Sequence, residues 1–305
     1  MPARLGDRFF RLITTGSGAF IVALMAAIAI FLVLQAIPAL RLDKLNFFTA
    51  RAWDVDNLSF GVLDLLLVTL YSSILALLIA APISLGIALF LTHYAPRKLA
   101  RPFAYLVDLL AAVPSIIFGF WGLKAFGQAL APVAKWFNHA LGFLPIFANG
   151  NVDIQLGGNI FTAGIVLSVM LLPIITAVTR EVFERTPTAH IEGALALGAT
   201  KWEVIRTTVL PFGRAGFISA VMLGLGRALG ETIALMIILS SHPNFAWSLF
   251  DGGDTIASRI ARDAAEFNNA TAAGAYIAAG LVLFVLTFAV NAIARSIVSG
   301  KKEYQ

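Results

Sequence analysis

Residues Gly61–Leu91 form a run of 31 residues in which Asp64 is the only charged side chain. A bilayer core demands roughly 20 predominantly apolar residues per crossing helix. Five other stretches meet that requirement: Ser17–Leu40, Phe103–Phe126, Asn159–Val178, Ala215–Ser240 and Ala272–Val298. Lipid offers no hydrogen-bond partners, so each crossing segment must satisfy its own backbone, and long apolar runs do this as helices. The expectation is an all-α polytopic membrane protein of six transmembrane helices, one domain over residues 1–305. Composition agrees: 59% of residues are hydrophobic and 13% charged, too little charge for a soluble domain. The first stretch follows Arg4, Arg8 and Arg11 as a signal peptide would. Its apolar core is too long for one and no small-x-small site ends it, so it reads as a retained span.

Basic residues set the orientation. With an inside N-terminus and alternating spans, fourteen Lys and Arg residues, from Arg4 to Lys302, fall on the inside and seven on the outside. One, Arg227, lies within a span. Positive-inside bias therefore predicts cytoplasmic termini. It also explains the pI near 9.7 as topology, with no nucleic-acid partner implied. The chain has no cysteine, its four histidines fall in separate segments without metal-ligand spacing, and no G-x-x-x-x-G-K-[ST] loop occurs. Neither a resident metal nor a nucleotide site is expected. Work against a gradient would need another chain's energy.

The longest inside segment, Thr179–Gly213, carries legible local chemistry. Thr186-Pro187 reads as N-cap and first helical residue, with Gly198 as the left-handed terminator. Thr200-Lys201-Trp202-Glu203 reads as a capping box opening a second helix, which Pro211 is expected to close. Gly193, Ala194, Ala196, Gly198 and Ala199 give it small residues, which allow a partner to approach closely.

The string EGALALGATKWEVIRTTVLP, Glu192–Pro211, resembles the EAA loop of bacterial ABC-importer permeases. Glu192, Ala194, Gly198, Leu210 and Pro211 match that pattern. Gly193 and Thr208 depart mildly, standing where alanine and isoleucine are usual. The resemblance extends over nearly the whole chain. Phe60–Pro96, LLAAVPSIIFGFWGL at Leu109–Leu123 and GLGRALGET at Gly224–Thr232 are similar to PstC-like permeases of high-affinity phosphate importers. It implies a type I ABC-importer permease fold in the bacterial plasma membrane. The implied partners are a PstA-like permease, two copies of a PstB-like ATPase and an extracytoplasmic phosphate-binding protein. ATP and Mg would be held by the ATPase, coupled through Glu192, Gly193, Ala194, Gly198, Leu210 and Pro211.

GLGRALGET sets two charges in an apolar run. Arg227 lies thirteen residues past Arg214, about 20 Å along a helix, too deep to reach an interface easily. A charge at such depth costs on the order of 3 kcal/mol, so it implies a partner or an aqueous path. Glu231, four residues on, is expected on the same helical face. The pair reads either as a structural ion pair or as a substrate-path site. In the second reading Arg227 binds an anion and Glu231 neutralises Arg227 when the path is empty. A guanidinium fork suits phosphate oxygens. Gly226 and Gly230 form G-x-x-x-G and, with Gly224, are expected to pack this helix closely against a neighbour.

Ser115 follows Pro114, which is expected to bend span three; its hydroxyl either meets the anion or bonds its own helix. Thr232 is a marginal path residue. Thr69, Ser72 and Ser73 read as self-bonded, Asp64 as needing no special role, and Asp108 as satisfied by solvent or a loop arginine. Pro82 and Pro173 are expected to kink spans two and four. Trp53, Trp136 and Phe137 read as interfacial anchors, and Ile256–Phe267 as a short outer helix. A permease for sulfate or molybdate, and a carrier or channel working alone, stay open as alternatives.

Overall fold

The computed structural model describes residues 5–54, 57–266 and 270–299. Arg4, Lys301 and Lys302, used above for orientation, lie outside the described residues, as does Phe267. Among the described residues, six helical stretches are long and apolar enough to cross a membrane: Phe9–Leu42, Leu63–Tyr94, Ser115–Leu141, Ile154–Glu184, Lys201–Leu229 and Thr271–Ile293.

Three helices form the centre. α6 (Ile160–Glu184) lies between α2 (Leu63–Leu89) and α9 (Leu210–Leu229). Small residues bring these axes together. A Cβ on Gly164 would stand 2.5 Å from Leu75, on Gly216 2.5 Å from Val182, and on Gly224 2.9 Å from Ile175. The core between them includes Val68, Ala76, Ala80, Val166, Leu167, Leu171, Ile175 and Ala220. α1 (Leu5–Leu42) packs on α12 (Ala270–Ser299) at the side, where Gly274 sits against Ala39. The rest of α1 leaves its apolar side chains exposed, as a lipid-facing helix does.

The third apolar stretch departs most from expectation. α3 (Arg97–Ala111) ends at Ala112, and the backbone at Pro114 is extended, with φ −59° and ψ 138°. Proline lacks an N–H and disfavours helical backbone at the residue before it, so the run breaks where a bend was expected. Helix resumes as α4 (Ser115–Trp121), passes through a π turn at Gly122–Phe126 and continues as α5 (Gly127–Leu141). The segment after Phe126, beyond the expected end of span three, is thus helical as far as Leu141. Asp108 pairs with Arg180 at 3.5 Å, near the α6 C-terminus.

The segment Thr179–Gly213 follows its caps with two corrections. α7 (Thr188–Ala196) takes Pro187 as its N-cap, one residue later than expected, and Thr186 is buried. Gly198 adopts φ +86° and closes α7, with Ala199 N–H donating to Ala194 O at 3.1 Å. The Thr200–Glu203 capping box is present and opens α8 (Lys201–Val204). Pro211 does not close that helix. A π turn at Ile205–Val209 widens the hydrogen-bonded ring, and α9 follows without interruption. Proline is tolerated in the first turn of α9 because the π turn has already reset the carbonyl pattern.

The fifth stretch is also broken. α9 stops at Leu229, and a separate α10 (Ile233–Ile238) follows. Beyond it, residues 240–255 fold over the N-terminal end of α6, and α11 (Ile256–Arg262) lies against α10 and α12. Asp64 has a structural role here: it accepts from Phe245 N–H at 3.0 Å and pairs with Arg51 at 3.6 Å. Thr69 likewise accepts from Ile256 N–H at 3.0 Å while donating to Leu65 O. Two paired two-residue strands, Trp53–Asp54 with Ser59–Phe60, and the Trp53–Tyr276 ring contact complete this end of the bundle.

Candidate functional site: a cavity between two helix breaks

The two breaks meet. Val113, Pro114 and Ser115 from the first, and Gly226, Arg227, Gly230, Glu231, Thr232 and Ile233 from the second, line one cavity of about 530 Å³. α4 and α10 are held together beyond it by glycine. A Cβ on Gly119 would stand 3.1 Å from the Ala234 backbone, and one on Gly122 2.8 Å from Ile238. These two glycines were not singled out from sequence: their i, i+3 spacing places them on one helix face but falls one residue short of the G-x-x-x-G signature.

Depth follows from the helix contacts. Gly224 faces Ile175, which is about 22 Å along α6 from Ile160. α9 runs antiparallel to α6, so Arg227 stands about 18 Å from that end of a helix about 37 Å long. The cavity therefore sits near the middle of the bundle.

Arg227 and Glu231 are not on one helical face, because α9 ends between them. Local chemistry explains the break. Gly230 is a poor helix former, and the Thr232 hydroxyl donates to Gly230 O at 3.0 Å, competing with the helical pattern. Glu231 Oε1 then accepts from Ala234 N–H at 3.3 Å, satisfying a donor in the first turn of α10. Glu231 is 8% exposed. Arg227 belongs to the last turn of α9 and is exposed into the cavity. Among the described residues no ion pair joins Arg227 to Glu231, which corrects the pair expected from their spacing.

The glycines divide. Gly224 packs on Ile175, but a Cβ on Gly226 would meet nothing within 4 Å and one on Gly230 nothing nearer than 3.7 Å. Among the described residues, Gly226 and Gly230 thus pack against no other helix; they keep the cavity wall free of side chains. Ser115 heads the helical stretch Ser115–Leu141, whose first N–H groups lack intrahelical acceptors, and its hydroxyl borders the cavity. Thr232 borders the same space. The site can offer an anion one guanidinium fork, hydroxyl groups and backbone donors, with a carboxylate held at its edge.

The other group of candidate residues lies far from this cavity. In α7 and the turn after it, Glu192, Gly193 and Gly198 are exposed and Ala194 is half-buried, while Leu195 and Leu197 leave 48% and 91% of their surface uncovered. Leu210 packs beside a small cluster of Ala88, Leu89, Phe183, Ile205 and Val209, which roots the segment on α2 and α6. Pro211 is exposed.

Residues 83–302 match the family described as binding-protein-dependent transport system inner membrane component. The chain belongs to that permease family. The permease is 58% identical over 305 residues to the phosphate transport system permease protein PstC 2 of Mycobacterium tuberculosis, covering 98% of this chain and 94% of that one. It is 40% identical over 290 residues to the phosphate transport system permease protein PstC of Xylella fastidiosa, covering 95% and 89%. Among solved structures, a bacterial ABC transporter involved in the import of the acidic polysaccharide alginate aligns with 99% of this chain and 100% of its own. That alignment has a TM-score of 0.60 at 17% identity, a likeness of fold. The permease is accordingly a PstC-like, multi-pass membrane protein with the fold of ABC-importer permeases.

Proposed function

We propose that the permease forms half of the translocation path of an ATP-driven inorganic phosphate importer, and that the cavity at Arg227 is where the anion passes. The observation that carries this reading is a mid-bundle arginine facing a cavity between two helix breaks with no carboxylate partner among the described residues. An isolated guanidinium at that depth is costly unless an anion or water meets it. The names of the PstC relatives support phosphate as the anion. Arg227 binds two phosphate oxygens, with Ser115 as a hydroxyl donor; Thr232, whose proton goes to Gly230 O, accepts from a protonated phosphate oxygen. Glu231, fixed by Ala234, leaves Arg227 uncancelled and limits how tightly an anion is held at the edge of the site. A transport intermediate must bind weakly enough to leave.

In this reading the permease pairs with a PstA-like chain, two copies of a PstB-like ATPase and an extracytoplasmic phosphate-binding protein. The ATPase holds ATP and Mg; this chain carries no ATPase site. α7 inserts into the ATPase, which covers Leu195 and Leu197, and both termini face the cytoplasm of a bacterial plasma membrane. Because α8, the π turn and α9 are continuous, movement of α7 reaches Arg227 along one rod.

Expression of the permease with its partners in cells lacking phosphate uptake tests the substrate. The expected result is ATP-dependent accumulation of labelled phosphate that excess sulfate or molybdate does not suppress. Accumulation of sulfate or molybdate in its place, or phosphate flux by the permease alone, would overturn the proposal.

A further inference from the structure

The C-terminal end of α10, away from the cavity, is held by a charged cluster. α10 has six residues, and a helix so short does not hold its own geometry. Its final carbonyls need donors. Arg262, at the end of α11, supplies them: Nη2 donates to Met236 O at 3.0 Å and to Leu239 O at 3.3 Å. Asp254 grips the same guanidinium, its Oδ1 lying 3.1 Å from both Nε and Nη2. Asp254 is 5% exposed, and its second oxygen takes Arg259 Nη1 at 3.4 Å and the Ser241 hydroxyl. Arg259 also pairs with Asp263, which accepts from Tyr276 O–H at 2.7 Å, so α12 anchors the cluster. Burial works against the Arg259 charge, but Asp263 and Asp254 outweigh it and raise its pKa.

α10 is about 9 Å long. Its other end carries Glu231, bonded to Ala234, and Thr232, both at the cavity. We propose that Arg262, locked by Asp254, is a positioning residue for the anion site, fixing the depth and rotation of α10 and so the placement of Glu231 and Thr232 opposite Arg227. The inference rests on the cavity being that site. A buried ion pair adds little net stability over a packed apolar replacement, whereas its directional bonds fix one geometry.

The chain has no cysteine, so Thr232→Cys gives this chain a single thiol at the cavity, and Phe143→Cys, at a 78% exposed outer position, gives a control. In the assembled complex, inorganic phosphate is expected to slow labelling of Thr232→Cys. Adding Arg262→Gln should change its labelling rate severalfold, weaken that protection and lower phosphate moved per ATP, while labelling of Phe143→Cys stays unchanged. Asp254→Asn, which reaches the same guanidinium through its anchor, should act likewise, and the double variant should be no worse than either single one. Arg262→Lys should restore part of the effect. Unchanged labelling at position 232 in both Arg262→Gln and Asp254→Asn overturns the proposal, as does an equal change at position 143. Normal uptake by Arg227→Ala would instead sink the anion-site reading, with the effect of Arg262 on position 232 still measurable.

Discussion

Glycine in this permease does two opposite things, and the difference is settled side chain by side chain. Gly216 and Gly224 are contact points where any Cβ would enter Val182 or Ile175, while Gly226 faces open space. Gly224→Val and Gly216→Val should each destabilise the fold by about 1–3 kcal/mol through overpacking. Gly226→Ala should leave stability nearly unchanged. Thermal unfolding of the detergent-purified complex separates the two classes; equal losses for all three would contradict the packing described here. Residue spacing alone did not reveal this division. The G-x-x-x-G of Gly226 and Gly230 suggests packing only if the helix continues through both, and it ends at Leu229. The same break separates Arg227 from Glu231. Its cause, a hydroxyl and a carboxylate capturing backbone groups around Gly230, depends on side-chain positions that periodicity does not encode. Asp254 and Arg262 were equally hidden, since they meet along the whole length of α11, eight residues apart, and each alone looks like an ordinary surface charge.

Elements were legible where their signals are local. Gly198 and the Thr200–Glu203 box act within four residues of themselves, so the inside segment reads almost directly as helix, turn, helix. The proline signals were weaker guides. Pro114 ends α3 outright because nothing bridges its missing N–H, whereas Pro211 is accommodated by the π turn before it. What the caps do specify is a helix displayed with little cover: Leu197 is 91% exposed on a segment rooted by Phe183, Ile205 and Val209. Substituting Leu197 by Asp should therefore leave the permease folded and in the membrane at normal levels. The ATPase recovered with it in a pull-down should fall severalfold, together with uptake. Full ATPase recovery would remove α7 from the docking surface. Thr200→Ala instead perturbs α8, the helix after that turn, since a lost cap costs about 1 kcal/mol.

Across the whole molecule, six apolar stretches were enough to specify a polytopic helical fold, because lipid permits few other solutions. They were not enough to show that two of the helices are discontinuous, or that the discontinuities face each other. That juxtaposition makes the site. One rod, α8 through α9, joins the exposed α7 segment to Arg227; a second short helix joins Glu231 to the outer charged cluster. The cavity thus has one wall tied to each end of the bundle, an arrangement that fits the proposed alternating access to an anion. The most direct test is labelled-phosphate uptake by the complete complex carrying Arg227→Ala, read alongside its assembly and ATP binding. The account predicts loss of uptake with the complex intact and ATP still bound; uptake at the parental rate would contradict it.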